Sequence, residues 1–285
     1  MALYRTFPLK SGVVAHRWEI ESPRAILVLQ HGFSEYARRY FDGTAIFVPR
    51  LQAQGFEIWA LDLWAHGDSP GLPRSVIDCC KAVQDLIEIQ ETAIEARPLL
   101  PLYLFGHSLG GLLTACSVVG NSLPIDGVIL CAAALQKPMP LLRRGLVQPL
   151  AMIWGTREIP FTKQSTNWLS RVPTVVEKAI ADPNIFHGAI SYRLAATALE
   201  AAERLWQATP QWNVPTLVIH GTADTYTDHH QSRQFVERIS STDKELYLIE
   251  GGYHELFRDK CSEIFTEKVE HWLVTRLRQT VKGDQ

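Results

Sequence analysis

Six short runs in this chain are apolar on consecutive positions, and stretches of helical spacing separate them. Ala25–Gln30 (AILVLQ), Phe56–Leu63 (FEIWALDL), Pro101–Phe105 (PLYLF), Gly127–Ala132 (GVILCA), Thr216–His220 (TLVIH) and Glu245–Ile249 (ELYLI) are rich in β-branched and aromatic residues. Runs apolar on both faces suit parallel strands covered on both sides. Val13–Ile20 alternates instead, which fits one partner of an antiparallel hairpin at a sheet edge. Thr44–Ala53, Ser75–Ala96, Leu109–Val119, Asp228–Ile239 and Lys260–Gln279 space their apolar residues by three and four, which predicts helices. In the last of these, Ile264, Val269, Trp272, Leu273 and Leu277 are expected to form the buried stripe. Alternation of strand and helix predicts an α/β fold built on a mostly parallel, doubly wound sheet.

One stretch breaks the alternation. Residues 136–210 contain no convincing strand, yet hold seven of the chain's 16 prolines. A structureless connection of that length is uncommon inside a compact domain, so a helical insertion is expected there. Its apolar residues include Met139, Leu141, Leu142, Leu146, Met152, Trp154, Phe161, Trp168 and Phe186. Two readings suit them: packing on the core, or a cap whose inner face meets an apolar substrate. The organisation expected is a core of residues 1–135 and 211–285 with a cap at 136–210.

Composition narrows the setting. Of 285 residues, 46% are apolar and 20% charged, and the net charge is −2, which is globular composition. No basic run points to nucleic acid. Five cysteines, an odd number without CxxC or Cys/His metal spacing, read as free thiols in a reducing compartment. Residues 1–18 hold no apolar run of secretory-leader length, and the longest apolar stretches fall far short of the ~20 residues that cross a bilayer. A soluble, cytoplasmic protein is expected.

The chemistry concentrates in a few turns. Gly106-His107-Ser108-Leu109-Gly110-Gly111 fits the G-x-S-x-G elbow, between a predicted strand and a predicted helix. Glycine two before and two after the serine removes side chains that so tight a turn would crush. Ser108 is thereby presented at the sheet's carboxyl edge, beside the Leu109 amide. A serine hydroxyl needs a base near pH 7. His254, in Glu250-Gly251-Gly252-Tyr253-His254 just past the last predicted strand, is the best placed of ten histidines. His107 adjoins the serine, but neighbours in such a turn point apart. The base needs an acid to hold its tautomer. Asp224, in His220-Gly221-Thr222-Ala223-Asp224, is the first candidate, and Asp228 the competitor, placed to cap the helix that follows. An oxyanion needs donors: the Leu109 amide is one, and the Phe33 amide, in His31-Gly32-Phe33-Ser34, is assigned as the second. No HExxH or similar spacing suggests a metal, and no cofactor is expected.

These segments resemble a known family. His31-Gly32-Phe33-Ser34-Glu35-Tyr36-Ala37-Arg38-Arg39-Tyr40 is similar to the HGxxEHxxRY segment of monoacylglycerol lipases and bacterial lysophospholipase-like hydrolases. Asp62–Ser69 is similar to their DxxGHGxS, and the elbow, His220–Asp224 and Gly252–His254 follow in the same order. Ala181-Asp182-Pro183 resembles the late part of the family's cap. Tyr36 stands where the family has histidine, Ala65 where it has glycine, and the bulky Phe33 where a small residue is common. The resemblance implies an α/β-hydrolase fold and hydrolysis of an ester with an apolar acyl chain, such as a monoacylglycerol or lysophospholipid, with transient contact of the cap with a lipid surface. Amide or peptide hydrolysis, acyl transfer, and a non-catalytic small-molecule receptor on the same fold remain alternatives. Arg143 and Arg144 suit either an anionic head group or the solvated surface. Oligomeric state is open.

Overall fold

A computed structural model describes residues 3–138, 141–163 and 165–283; within it, side chains are described outside 141–147 and 278–283. Eight strands form one sheet: β1 (Leu3–Pro8), β2 (Val14–Glu19), β3 (Ala25–Gln30), β4 (Phe56–Leu61), β5 (Leu102–His107), β6 (Gly127–Cys131), β7 (Thr216–Gly221) and β8 (Lys244–Ile249). Their spatial order is β1-β2-β4-β3-β5-β6-β7-β8, antiparallel across the first two pairings and parallel from β4 to β8.

The doubly wound architecture follows from strands that are apolar on both faces. Along β3, Ile26 and Val28 enter one core while Ala25, Leu27 and Leu29 enter the other, as strand alternation requires. The first core is closed by α2 (Cys79–Ala96), α3 (Leu109–Gly120), α6 (Tyr192–Ala208) and α7 (His229–Arg238). The second is closed by α1 (Phe47–Ala53) and α8 (Ser262–Gly283), with Tyr40, Phe47, Phe105, Phe257 and Phe265 packed ring to ring. Removing such side chains from water contributes about 1.5–3 kcal/mol each.

The structure departs from the pattern in identifiable places. β1 carries no core-facing stripe and is almost entirely exposed, so its sequence shows no period; pairing with β2 makes it a strand, from Leu3 opposite Glu19 to Pro8 opposite Val14. β4 stops at Leu61 because the next carboxylate, Asp62, turns to accept from the Ala37 and Asp68 amides, both at 2.7 Å. α2 begins at Cys79 rather than Ser75, where Asp78 caps the Cys80 and Lys81 amides. In α8, Ile264 is half exposed and Phe265 occupies the core in its place, while Val269, Trp272, Leu273 and Leu277 are buried. The expected stripe was therefore displaced by one residue at its first turn.

Between β6 and β7 the described residues form the α-helices α4 (Leu141–Trp154), α5 (Pro173–Ala181) and α6, with short 3-10 turns at Thr166–Trp168 and Thr209–Gln211. The extended pairing among these residues is a single bridge, Glu158 with Ser191. Of the apolar residues singled out there, Phe186 is half-buried, whereas Met152, Trp154, Phe161 and Trp168 are exposed. Met139 lies outside the described residues, as do the side chains of Leu141, Leu142, Arg143, Arg144 and Leu146. No described helix is long and apolar enough to cross a membrane.

Candidate active site

β5 is central, with β3 and β6 as neighbours, and its carboxyl end runs straight into α3 through Ser108. Ser108 has φ 54° and ψ −122°, a conformation that costs a non-glycine residue free energy and persists only where the surroundings impose it. The flanking glycines show how. A Cβ on Gly106 would stand 2.6 Å from the Gly110 carbonyl oxygen, and one on Gly110 would stand 2.4 Å from the carbonyl oxygens of Gln30 and His31. The elbow therefore fits against the end of β3 with no room for a side chain at either position.

Asp224 follows β7 and His254 follows β8, so both reach the same edge of the sheet. Clefts beyond the carboxyl ends of parallel strands are where such folds place ligands. The Asp224 carboxylate is built into its loop: Oδ1 accepts from the Tyr226 amide at 2.7 Å and the Thr227 amide at 3.1 Å, and Oδ2 from the Thr227 hydroxyl at 2.8 Å. His254 Nδ1 lies 2.7 Å from Asp224 Oδ2, and His220 Nε2 lies 3.2 Å from the same oxygen. Burial opposes ionisation of Asp224, but the two imidazoles outweigh it and hold the carboxyl well below its usual range. Burial likewise opposes a charged His254, yet Asp224, helped by Glu255 and Glu35, raises its pKa above the ordinary histidine value. Asp228, the competing acid, caps α7 by accepting from the His230 amide.

Ser108 and His254 face one cavity of about 530 Å³. No hydrogen bond joins the two side chains in this structure, among the described residues; catalytic hydrogen bonds in unliganded sites are often long and tighten with substrate. Phe33 and Leu109 line the same cavity, and neither backbone amide donates to another described residue. Leu109 opens α3, so the positive end of the helix dipole adds to its amide. Of the two glycines before His254, Gly251 has a φ of 65°, and Gly252 is closely packed, since a Cβ there would stand 2.7 Å from Leu256 Cδ2. A Cβ on Gly221 would meet the Gly252 carbonyl at 2.2 Å, and that carbonyl accepts from the Ala223 amide at 3.1 Å, which ties the His254 loop to the Asp224 loop.

Several groups were not anticipated from residue patterns. Tyr226 stacks on the His254 ring, with centroids 4.6 Å apart and planes 17° from parallel, and its hydroxyl donates to the Ser165 carbonyl. Behind the site lies a buried ionic cluster of Glu35, Arg39, Glu255 and Arg258. Glu35 accepts from the Gly32 amide at 2.9 Å, the Tyr40 hydroxyl at 2.9 Å and Arg39 Nη1 at 3.1 Å, and pairs with His107 Nδ1 at 2.8 Å. Burial opposes its charge, but His107 and the two guanidiniums hold its carboxyl well below the usual range. Both His107 nitrogens are thus engaged, Nδ1 with Glu35 and Nε2 with the His254 carbonyl at 3.3 Å. Glu35 and Arg39 both stand in the segment singled out for family resemblance, which was the available signal; Glu255 follows His254 directly but has no pattern of its own.

Three of these residues, Glu35, Arg39 and Glu255, are among those that line the cavity, together with Leu112, Leu194, Ala198 and Leu199. The lining therefore combines a paired ionic cluster with apolar side chains of α3 and α6. Two groups of potential metal ligands exist among the described residues, and both are otherwise engaged. In Asp228-His229-His230 the aspartate is the helix cap. In His16-Asp62-Asp68 the Asp62 carboxylate holds two backbone amides and His16 Nε2.

A serine held in a strained strand–turn–helix elbow, at the carboxyl edge of a mostly parallel sheet wound with helices on both faces, defines an α/β-hydrolase. Comparison with known proteins agrees. The profile of the hydrolase family described as serine aminopeptidase, S33, matches residues 21–261, and the chain belongs to this family. It is 29% identical to the monoacylglycerol lipase of Mycolicibacterium smegmatis over 268 residues, covering 90% of each chain. It is 26% identical to the monoglyceride lipase of Rattus norvegicus, covering 90% of this chain and 84% of that one. Among solved structures, that of the Paleococcus ferrophilus monoacylglycerol lipase superposes with a TM-score of 0.79 at 29% identity, over 93% of this chain and 99% of that one.

Proposed function

We propose that the protein is a serine esterase that cleaves esters of an apolar acyl chain with a small polyol, of the monoacylglycerol type, through Ser108, His254 and Asp224. The enzyme is a carboxylic ester hydrolase. Ser108 Oγ attacks the ester carbonyl while His254 takes its proton, and Asp224 holds the imidazole and stabilises its charged form. The amides of Phe33 and Leu109 receive the oxyanion, each such donor being commonly worth about 10²–10³ in turnover. His254 then protonates the departing alcohol. Water, deprotonated by His254, releases the acid from the acyl enzyme and restores Ser108. Every step is met by residues of the chain.

One observation carries this reading: the His254–Asp224 pair and the strained Ser108 meet a cavity whose lining combines apolar side chains with a paired ionic cluster. An amphiphile fits such a space. The ionic cluster also bears on the head group. Among the described residues that line the cavity, the guanidinium of Arg39 is paired with both Glu35 and Glu255, which favours an uncharged polyol over a lysophospholipid. The same pairing argues against an aminopeptidase, because a substrate's free amine needs a carboxylate, and both carboxylates there are already neutralised. Residues 136–210 act in this reading as a cap that closes over the cavity. Met152, Ile153 and Phe161, 81%, 72% and 103% exposed, support passing contact with a lipid surface. Five unpaired cysteines support a reducing, cytoplasmic setting.

The test is covalent labelling with a fluorophosphonate followed by a chain-length panel of p-nitrophenyl esters and monoacylglycerols set against amino-acid anilides. Rapid labelling that disappears in Ser108→Ala, with esters cleaved well ahead of anilides, is expected. Labelling that survives Ser108→Ala, or anilides cleaved faster than esters, refutes the reading.

A further inference from the structure

Tyr226 stands in the loop between β7 and α7, and its ring lies against the ring of His254, with centroids 4.6 Å apart and planes 17° from parallel. Both ends of the tyrosine are tied down. Its amide donates to Asp224 Oδ1 at 2.7 Å, and its hydroxyl donates to the Ser165 carbonyl at 2.7 Å. One carboxylate therefore sets both rings, with His254 Nδ1 on Oδ2 and the Tyr226 amide on Oδ1. The anchor at the far end is itself fastened to the His254 loop. The Glu255 amide donates to the Leu169 carbonyl at 2.9 Å, and the Ser170 hydroxyl donates to the Arg258 carbonyl at 2.9 Å. The Arg171 amide and Nε donate to the two Asp259 oxygens at 2.7 and 2.8 Å. Residues 165–171 of the insertion are thus stitched to residues 255–259 of the core.

The bond to Asp224 does not by itself fix the plane of the imidazole. A hydrogen bond at Nδ1 holds that atom, but the ring can still swing about it. The swing is largest at Nε2, the nitrogen that must meet Ser108 Oγ. A displacement of about 1 Å there lowers turnover about 10²-fold. A flat ring stacked on the imidazole and pinned at both ends blocks that swing on its own side. It also acts on charge. His254 is neutral before the attack and takes a proton as Ser108 Oγ bonds to the carbonyl carbon. The face of an aromatic ring attracts a cation. The attraction is made to the charged imidazole alone, so it favours the state in which the proton has moved.

We propose that Tyr226 is a positioning residue for the general base: its ring, tied to Asp224 and to Ser165 of the insertion, holds the plane of the His254 imidazole and stabilises the imidazolium. This deepens the ester-hydrolase reading and rests on it. The insertion between β6 and β7 then supports the base as well as covering the cavity. The other groups around the imidazole are Asp224 at Nδ1, with His220 on the same carboxylate oxygen, and the His107 ring at 4.7 Å, tilted by 50°. Glu255 and Glu35 act on it too, and Arg39 and Arg258 pair with both. A change at residue 226 replaces none of them. The Tyr226 hydroxyl stays protonated through the neutral range, since burial, Glu255 and Asp224 push its pKa up.

The experiment follows the rate at which diisopropyl fluorophosphate, a small probe, labels Ser108 as the pH is raised. Tyr226→Leu keeps water away from His254 but offers no aromatic face. Its rising limb is expected to move down by about half a pH unit, and its plateau rate to fall by about tenfold to 10²-fold. Tyr226→Phe keeps the ring and loses the Ser165 bond, so it is expected to hold the limb in place and retain most of the plateau. A limb that stays in place in Tyr226→Leu, or a plateau that is unchanged, overturns the proposal and leaves Tyr226 as cavity wall. A Tyr226→Phe enzyme as slow as Tyr226→Leu overturns it as well, because the hydroxyl and not the ring then acts. Tyr226→Met, whose flexible side chain repacks readily, is read in the same way if the leucine variant does not fold. If Ser108 of the unaltered enzyme is not labelled, the ester-hydrolase reading fails first, a result distinct from every outcome in the variants.

Discussion

Replacing Glu35 by glutamine tests what the buried ionic cluster contributes. The four charges of Glu35, Arg39, Glu255 and Arg258 cancel, and all four side chains are almost wholly inaccessible. Glutamine keeps an acceptor for the Gly32 amide but presents an NH₂ toward Arg39 Nη1, 3.1 Å from the oxygen it replaces. One guanidinium is then left without its counter-charge inside the protein. Breaking a buried pair from one side costs about 3–5 kcal/mol. With ~2.1 cal/mol/K of unfolding entropy per residue, a chain of this length loses roughly 5–8 °C in Tm. The pH dependence adds a signature. The folded-state pKa of Glu35 is depressed, so the stability its charge contributes is present above the unfolded carboxyl value of about 4.3 and is lost as the pH falls through the lower folded value. The gap between the unaltered protein and Glu35→Gln is therefore widest near neutrality and closes in acid. Urea melts at pH 7 and at successively lower pH below 4 read both quantities. A loss under 1 kcal/mol at pH 7, or a gap that widens in acid, refutes the reasoning. Glu35→Ala also frees the Gly32 amide next to an oxyanion donor, and displacement of about 1 Å there lowers kcat by about 10²; a kcat no lower than in Glu35→Gln counts against that role.

Three further outcomes are expected. His254 must be neutral to accept the Ser108 proton, and its pKa is raised, so kcat/KM should rise with pH through a limb above 6.5; Asp224→Asn should cut kcat by about 10⁴, and a profile flat from pH 5 to 9 would contradict the assignment. Gly110→Ala drives a Cβ into the Gln30 and His31 carbonyls, so a loss of about 2–3 kcal/mol in a denaturant melt is expected, and unchanged stability would show that the elbow has slack. Phe33→Ala keeps the backbone amide and removes the ring packed on Phe186, so the p-nitrophenyl ester preference should move by about tenfold in kcat/KM toward chains two methylenes longer, at ~0.8 kcal/mol per methylene; no movement would mean the ring does not bound the acyl space.

What could be read along the chain is what depends on local pattern. The five inner parallel strands, β3 to β7, declare themselves because each is buried on both faces, a property of five or six adjacent residues; β8, at the sheet's edge, is half-buried and shows only the shorter apolar run of its last residues. The elbow declares itself because its steric demand falls on residues two positions either side of Ser108. The placement of Asp224 and His254 just beyond predicted strands could be read for the same reason, since strand ends of a parallel sheet share one edge. β1 could not, because an exposed edge strand has no buried face to impose a period. Nor could the shift from Ile264 to Phe265, which depends on how α8 is rotated against α1 and the sheet.

Tertiary structure alone decided what surrounds the reacting atoms. Arg39 and Glu255 are 216 residues apart and become partners because the loops after β3 and β8 both fold over the end of β5. Tyr36 and Asp182 are 146 apart, and their bond gives a use to a tyrosine that looked only like a departure from the family's histidine. Tyr226 covers His254 through a loop conformation that no periodicity describes. The division is physical. Secondary structure and a tight turn are fixed by energies between near neighbours in sequence, whereas the polarity of a cavity is set by side chains from distant segments whose meeting only the packed fold determines.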